Sequence, residues 1–320
     1  MVRLLTAPCL GCRAGNNVGG NMIAKRLPLG GTIGLFCPSH VADMSKYDLV
    51  IATLKRLGFN VKLGANFHKD TYGYAASAEE RAADLNSLVT DDSVQMILFS
   101  GGSSAVEILP LIDYDKIRHN PKLFCSYSDA TSILNAIYAQ TGLVTYYGAS
   151  ASEFADLRHY NYTQFLSHFV EGHSAEHFVS DSKWITVCKG VCEGHLIGGY
   201  NSLFACLLAN RYFKYESDKK YVLFIEDHEK YNDIGTVSTY LEFIGQSAFM
   251  QNVTGLIFGH YSIIVSDDLL RCLERFGKKH GIPVVYTDDF GHGTRHAVMP
   301  IGVNVVLDAD NQCLRFCDNY

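Results

Sequence analysis

Short apolar runs alternate with longer amphipathic segments from residue 32 onward, which predicts strands and helices in turn. The run 32–38 is apolar and ends at Pro38, as expected of a buried strand that leads into a loop. Residues 47–57 carry apolar side chains at helical spacing and stop before Gly58. Further strands are predicted at 95–99, 123–127 and 143–147, and helices at 77–89 and 129–140. Short apolar strands joined by helices indicate a parallel sheet that is covered on both faces.

A polar stretch, residues 150–182, separates this half of the chain from a half with a less regular order of elements. Strands are predicted there at 184–187, 194–197, 221–225, 253–258, 283–286, 301–307 and 314–317, and helices at 202–210, 236–244 and 267–280. We therefore expect an α/β protein with a parallel-sheet, three-layer domain over 27–160, a linker over 161–182, and a mixed α/β domain over 183–320. Residues 1–26 contain no acidic side chain, and we expect a poorly ordered extension without function.

The composition supports a large core and excludes several classes of partner. Of 320 residues, 48% are hydrophobic and 19% charged, which argues against a disordered chain. The net charge is −6 and no basic stripe occurs, so we expect no nucleic-acid or anionic membrane partner. No apolar run reaches spanning length, and the ten scattered cysteines indicate reduced thiols in a soluble, cytoplasmic protein. Cys9 and Cys12 have the spacing of a metal or redox pair, but no second pair completes a site.

The segment from Leu123 to Thr131 carries the clearest candidate chemistry. An apolar strand ends abruptly, Ser128 follows, and a helix begins at once. This pattern is typical of a nucleophile elbow, in which Ser128 is the nucleophile and the backbone N–H of Asp129 faces a developing oxyanion. The competing interpretation is that Ser128 or Asp129 only caps the helix. An elbow usually has a glycine where this chain has Ser126.

A pair of glycines directly after the strand ending at Phe99 is the second candidate. Consecutive glycines let backbone N–H groups approach a ligand, and the N–H of Gly102 is a candidate second oxyanion donor. Gly101 and Ser103 are candidate substrate contacts in the same loop. The loop also suits a phosphate group or a plain turn. As a function for the whole chain, a nucleotide- or phosphate-binding enzyme is the least favoured, because no P-loop lysine or dinucleotide-binding glycine motif occurs.

An acid and a histidine follow two predicted strands of the second half. Glu226 ends a buried strand, where parallel α/β proteins keep their ligands, and His292 lies between two glycines that leave its imidazole mobile. A serine nucleophile needs a neighbouring imidazole, which in turn needs a carboxylate. We therefore predict that Ser128, Glu226 and His292 form a catalytic triad in the cleft between the two domains.

Ordered motifs from about Gly30 to Leu314 point to a known family. They include Thr32-Ile-Gly, Glu80-Arg81, Gly101-Gly102, Tyr127-Ser-Asp129, Tyr147-Gly148, Ile225-Glu-Asp227, Gly291-His292 and Pro300-Ile-Gly302. The chain resembles the LD-carboxypeptidase family of serine peptidases, which includes murein tetrapeptide carboxypeptidases and microcin C immunity carboxypeptidases. The resemblance implies the same triad of Ser128, His292 and Glu226, an oxyanion hole at Gly102 and Asp129, no metal or cofactor, and a cytoplasmic homodimer. It also implies cleavage of an amide between an L-centre and a D-residue or another small leaving group.

Two substrate classes follow from the resemblance, a small peptide or an aminoacyl nucleotide. Murein members release the terminal D-Ala of a tetrapeptide and usually carry Arg before the glycine pair, where this chain has Ser100. Lys230, four residues after Glu226, looks more like the immunity branch and is a candidate substrate contact. Trp184, the only tryptophan, is a candidate to stack on a base or to pack between the domains. Ser126 and Tyr200 stand where the family usually has other residues. A catalytically silent peptide-binding homologue is therefore a further alternative.

Overall fold

The computed structural model describes residues 21–172 and 177–317. Cys9, Cys12 and residues 1–20 of the predicted extension lie outside the described residues. The end of that extension is part of the fold, because Met22 forms a parallel bridge with Leu143 and its N–H donates to Gly142 O at 2.9 Å.

The described residues form thirteen β-strands and eight α-helices, together with short 3₁₀ turns and one π turn. In chain order they are β1 (Thr32–Phe36), α1 (Met44–Arg56), β2 (Asn60–Leu63), α2 (Ala78–Thr90), β3 (Val94–Phe99), α3 (Tyr114–His119), β4 (Leu123–Ser126), α4 (Thr131–Thr141), β5 (Thr145–Tyr147), α5 (His159–Phe165), β6 (Ile185–Cys188), β7 (Val191–Tyr200), α6 (Asn201–Leu207), β8 (Tyr221–Glu226), α7 (Ile234–Gln246), β9 (Val253–His260), α8 (Asp267–His280), β10 (Val284–Gly291), β11 (Met299–Ile301), β12 (Asn304–Asp308) and β13 (Cys313–Phe316).

The first sheet has six strands in the order β11-β5-β4-β3-β1-β2. All neighbours are parallel except β11, which pairs antiparallel with β5. Every residue of β4 and β5 is buried, which is why these strands read as uninterrupted apolar runs rather than as alternating ones. The predicted mainly parallel sheet of the first half is confirmed.

The second sheet has seven strands in the order β13-β12-β7-β8-β9-β10-β6. Its four central strands, β7 to β10, are parallel, and the strands on both sides of them are antiparallel. The predicted mixed α/β character of the second half is therefore confirmed.

The predicted strand 301–307 is confirmed from residue 304 onward, as β12, but Ile301 belongs to β11 in the other sheet. β11 pairs with β5 in the first sheet, whereas β12 pairs with β7 in the second. The chain changes sheet at Gly302, whose φ of +99° suits glycine and breaks the extended run. The apolar residues on both sides of Gly302 hid this turn, since β11 is fully buried and three of the five residues of β12 are buried.

The stretch 161–182 also contains more structure than its polar composition suggests. It holds the end of α5 and a π turn over Leu166–Val170, and Phe165 and Phe169 are buried in the core. The Phe169 carbonyl accepts the N–H of Leu27 at 2.7 Å. Within the described residues, no helix combines the length and apolar character that crossing a membrane requires.

Helix α4 joins the two sheets beside the predicted site. Asn135 Nδ2 donates to Gly198 O at 2.8 Å, and the N–H of Tyr200 donates to Thr131 Oγ1 at 2.9 Å. The carboxyl ends of β4, β8 and β10 lie close together, and His292 there contacts both Ser128 and the buried Glu226.

Candidate active site

Ser128 lies on a sharp turn between β4 and α4. It begins a 3₁₀ turn over Ser128–Ala130, and its φ is +60°, a left-handed conformation that is uncommon for a residue other than glycine. In this segment no side-chain hydrogen bond caps the 3₁₀ turn or α4, so the competing interpretation of Ser128 or Asp129 as a helix cap is wrong. The local geometry is that of a strained elbow that presents a serine.

The Ser128 hydroxyl contacts an imidazole that is itself bound to a carboxylate. His292 Nε2 lies 2.9 Å from Ser128 Oγ, and His292 Nδ1 lies 2.9 Å from Glu226 Oε2. Ser128 follows β4 of the first sheet, whereas Glu226 ends β8 and His292 follows β10 of the second. Three residues far apart in the chain thus form one line of hydrogen bonds.

Burial and charge act in opposite directions on His292. Burial disfavours the charged imidazolium, but the Glu226 carboxylate, with a weaker contribution from Asp227 and Glu153, outweighs it and raises the pKa of His292 above its ordinary value. The Glu226 side chain is 0% exposed and that of His292 is 14% exposed. The imidazole can therefore accept a proton from the serine hydroxyl while the carboxylate stabilises the resulting charge.

Two tyrosines that sequence reasoning missed hold this line of groups. The Tyr147 hydroxyl donates to Glu226 Oε1 at 2.6 Å and accepts the Ser128 N–H at 2.8 Å. The ring of Tyr127 packs edge-on against His292, with ring centroids 5.1 Å apart. The available signal was weak: both tyrosines lie in motifs at strand ends, and nothing in their spacing indicates a hydrogen bond to Glu226.

The glycine pair lies beside the elbow. Gly102 has a φ of +145°, and a Cβ at this position would overlap Ser39 Oγ, so only glycine fits. The Asp129 side chain ties the two loops together, because its Oδ2 accepts the N–H of Ala105 at 2.7 Å. Burial raises the pKa of the Asp129 carboxyl.

Arg81 binds backbone carbonyl groups next to the glycine loop. Its guanidinium is almost fully buried, donates to the carbonyl oxygens of Pro38 and Ser104, and pairs with the Glu107 carboxylate. The Glu80-Arg81 motif was visible in the sequence, but its contact with the glycine loop was not.

The site opens into a cleft of about 560 Å³. Eight of its fourteen lining residues carry a hydroxyl group. The lining consists of Gly101, Gly102, Ser103, Tyr127, Ser128, Asp129, Ser150, Ser152, Tyr200, Ser202, Leu203, Tyr231, Asn232 and His292. No arginine or lysine is among these lining residues. The rings of Tyr127, Tyr200 and Tyr231 each lie 5.1–5.5 Å from the His292 ring.

The structure brings Gly101 and Ser103 to the cleft, but neither Lys230 nor Trp184. Lys230 Nζ lies over the Tyr231 ring, 5.6 Å from its centroid. Trp184 is buried, its Nε1 donates to Asp289 Oδ2 at 2.9 Å, and its ring packs against Phe178. Among the described residues, no group of three or more His, Cys, Asp or Glu side chains is arranged to hold a metal ion.

Comparison with known proteins gives both halves of the chain the same assignment. Residues 33–148 match the model of the LD-carboxypeptidase N-terminal domain, and residues 193–307 match that of its C-terminal domain. These two segments make up more than half of the chain.

Several relatives are similar over nearly their whole length. The probable murein peptide carboxypeptidase of Bacillus subtilis is 29% identical over 90% of this chain and 92% of its own length. The microcin C7 self-immunity protein MccF of Escherichia coli is 26% identical over 93% of this chain and 96% of its own, and MccF has been solved in complex with aspartyl sulfamoyl adenosine. The crystal structure of an MccF-like protein from Bacillus anthracis superposes with a TM-score of 0.84, at 26% identity, over 93% of this chain and 100% of the other. The chain therefore belongs to the LD-carboxypeptidase family and is a serine peptidase.

Proposed function

We propose that the chain hydrolyses amide bonds through a Ser128-His292-Glu226 triad. The observation that carries this proposal is the unbroken line from Ser128 Oγ to His292 Nε2, and from His292 Nδ1 to Glu226 Oε2, with both separations 2.9 Å. In this arrangement a proton can leave the hydroxyl while the adjacent carboxylate holds the imidazole in the required tautomer.

The first half of the reaction forms an acyl-enzyme. Ser128 Oγ attacks the amide carbonyl carbon while His292 Nε2 takes the hydroxyl proton, and the carbonyl oxygen becomes an oxyanion. The backbone N–H groups of Gly102 and Asp129 are the proposed oxyanion donors, since both residues line the cleft beside Ser128. The imidazolium then gives its proton to the leaving nitrogen, and the C–N bond breaks.

The second half repeats these roles with water. His292 accepts a proton from water as its oxygen attacks the acyl carbon, and the same proton returns to Ser128 Oγ when the ester bond breaks. The products are a free carboxylic acid and a free amine, and the enzyme returns to its starting state.

For the substrate, we propose a murein tetrapeptide that loses its terminal D-amino acid. Membership of the LD-carboxypeptidase family supports this choice, as does the likeness to a murein peptide carboxypeptidase over 92% of that protein. The cleft volume suits a short peptide, and the hydroxyl-rich lining offers hydrogen bonds to its amide groups.

A second candidate substrate is an amide-linked aminoacyl nucleotide analogue. The cleft lining contains no arginine or lysine to pair with a terminal carboxylate, and Ser100 precedes the glycine pair. The lining does contain the aromatic rings of Tyr200 and Tyr231, which suit stacking on a nucleobase. The similarity to MccF over 96% of its length supports the same choice.

A parallel assay separates these proposals. Purified protein and Ser128→Ala are incubated with a murein tetrapeptide and with an aspartyl sulfamoyl adenosine, and released D-Ala or nucleoside is measured. We expect turnover of one substrate type by the unmodified protein and none by Ser128→Ala, with circular dichroism unchanged. Full activity in Ser128→Ala would remove Ser128 from the mechanism, whereas calorimetric binding without product would favour the catalytically silent homologue.

We also propose, from the family resemblance, that the chain acts as a cytoplasmic homodimer. Light scattering of the purified protein tests the oligomeric state, and a monomer across the working concentration range would contradict it.

A further inference from the structure

We propose that Tyr147 is a positioning residue that holds the nucleophile turn and the acid of the proposed triad in one hydrogen-bonded ring. This inference rests on the proposed function, since it assigns Tyr147 a role through Ser128 and Glu226. Tyr147 is the last residue of β5 in the first sheet, and Glu226 is the last residue of β8 in the second. The contact between them therefore spans the two halves of the site.

The direction of each hydrogen bond follows from the chemistry of the groups. A backbone N–H can only donate, so the Tyr147 oxygen must accept from Ser128, at 2.8 Å. The single phenolic proton is then available for Glu226 Oε1, at 2.6 Å. Burial, with the nearby Glu226 charge, raises the pKa of Tyr147 well above its ordinary value, so the phenol keeps the proton that this arrangement requires.

The hydrogen bonds close a ring through the backbone and side chain of Ser128. From the Ser128 N–H the path runs to Tyr147, to Glu226 Oε1, from Oε2 to His292, and from His292 Nε2 back to Ser128 Oγ. Each carboxylate oxygen thus has a separate partner, which leaves Oε2 directed at the imidazole. The same ring anchors the N–H of a residue whose φ of +60° the chain does not adopt readily.

Tyr147 lies outside the cleft lining, so it acts on these groups and not on substrate. It is fully buried, is absent from the residues that line the cleft, and packs its ring against Phe224 with centroids 5.4 Å apart. Removal of its hydroxyl would leave the partly buried Ser128 N–H and the buried Glu226 carboxylate oxygen without this partner while retaining the ring packing. The expected consequence is a misplaced nucleophile with an intact binding cleft.

The test compares Tyr147→Phe with Tyr146→Phe, which removes a hydroxyl from the adjacent buried tyrosine of β5. Tyr146 packs against Phe169, away from the triad, so it controls for the general cost of losing a buried hydroxyl. The readouts are kcat and KM on the substrate that the enzyme turns over, and the rate at which a fluorophosphonate probe labels Ser128. All are measured well below the unfolding temperature of each variant.

We expect Tyr147→Phe to lower kcat and the labelling rate about ten- to hundredfold with KM unchanged, as expected when buried hydrogen-bonding groups lose a partner. Tyr146→Phe should stay within about twofold of the unmodified protein, as expected when the groups that react are untouched. In a double variant of Tyr147→Phe with Glu226→Gln, the fold-loss of kcat should be smaller than the product of the two single fold-losses. Both substitutions act through the same carboxylate.

Two results would overturn the inference while leaving the proposed function standing. They are labelling and kcat at unmodified levels in Tyr147→Phe, or a raised KM with unchanged kcat. An unmodified protein that the probe does not label and that cleaves neither substrate would instead overturn the proposed function, and this inference with it.

Discussion

Gly291 packs so closely against Glu226 that a methyl group at residue 291 would lie 3.0 Å from both Cβ and Oε2 of the carboxylate side chain. Its φ is +106°, a conformation that side chains other than hydrogen rarely allow. Glu226 Oε2 is the oxygen that faces His292 Nδ1. The absence of a side chain at residue 291 thus determines where the acid of the candidate triad can lie.

Gly291→Ala should therefore damage catalysis as well as stability. Backbone strain lowers the free energy of unfolding by about 1–3 kcal/mol, and the added methyl group displaces Glu226 from His292. We expect kcat to fall about tenfold or more, as for a lost buried charge-assisted hydrogen bond. Urea denaturation and steady-state kinetics measure the two effects.

Gly281→Ala is the matched control for this substitution. Gly281 also has a positive φ, +65°, but a Cβ there meets no atom within 4 Å. We expect a loss of about 1–2 kcal/mol in the free energy of unfolding from the left-handed backbone, without a change in kcat. If Gly291→Ala behaved in the same way as this control, close packing on Glu226 would have no catalytic role.

The pH dependence of the reaction should follow His292. The imidazole must be neutral to accept the Ser128 proton, so kcat/KM should rise with pH through the pKa of His292. Because Glu226 and its neighbours outweigh burial and raise that pKa, this acid limb should lie above the ordinary histidine value. By the same linkage, His292 stabilises the fold below its unfolded-state pKa, and the contribution is lost as pH rises through the folded value.

Glu226→Gln should shift this limb to lower pH. Burial lowers the pKa of His292, whereas the Glu226 carboxylate raises it. Removal of the Glu226 charge therefore leaves the lowering effect of burial in place. We expect kcat to fall together with the shift, and a pH profile of kcat/KM measures both. Glu242→Gln, which removes a carboxylate paired with Lys279 at the protein surface, should leave the profile unchanged. An acid limb that stayed at the same pH in Glu226→Gln would assign it to another group.

Most of the site residues that could be predicted from the sequence lie at the ends of strands. Ser128 lies two residues after β4, Glu226 is the last residue of β8, and His292 directly follows β10. Parallel sheets bring such strand ends to the same side. Residue type and position therefore sufficed to predict that these three would meet. Tyr147 contacts Ser128 and Glu226 only through its hydroxyl oxygen, and no pattern in the sequence predicts that contact.

Positions fixed by long-range packing were the ones that sequence reasoning misjudged. The apolar run 301–307 reads as one strand, yet Gly302 sends its two parts to different sheets. Trp184 was a candidate to stack on a base or to pack between the domains, and it is buried with its Nε1 bound to Asp289. In both cases the pattern predicted burial or extension correctly but not the neighbour.

Arg81→Met should destabilise the protein and weaken the glycine loop. The buried guanidinium donates to the carbonyl oxygens of Pro38 and Ser104, and these groups would lose a charged partner. We expect the free energy of unfolding to fall by about 2–4 kcal/mol, with a lower kcat because Gly102 is held less firmly. Chemical denaturation and kinetics test this result. Arg271→Met, which breaks an exposed pair with Asp268, should change the free energy of unfolding by less than about 0.5 kcal/mol.

Trp184→Phe should reduce stability and leave substrate binding unaffected. The Asp289 carboxylate is fully buried and accepts hydrogen bonds from Trp184 Nε1, from the Ser180 and Thr287 hydroxyls and from the backbone N–H groups of Asp181 and Ser182. Loss of the indole donor should lower the free energy of unfolding by about 1–3 kcal/mol. Thermal unfolding measures this loss, and KM for each substrate type should not change.

Tyr231→Ala is the comparison for Trp184→Phe, because it removes an aromatic ring that does line the cleft. Tyr231 lines the cleft, is largely exposed, and lies 5.5 Å from the His292 ring, so it is available to a bound base or peptide. Tyr231→Ala should raise KM by about five- to tenfold, as expected for a lost stacking contact, with little change in stability. The opposite outcome, a raised KM for Trp184→Phe at unchanged stability, would mean that the segment carrying Trp184 moves into the cleft when substrate binds.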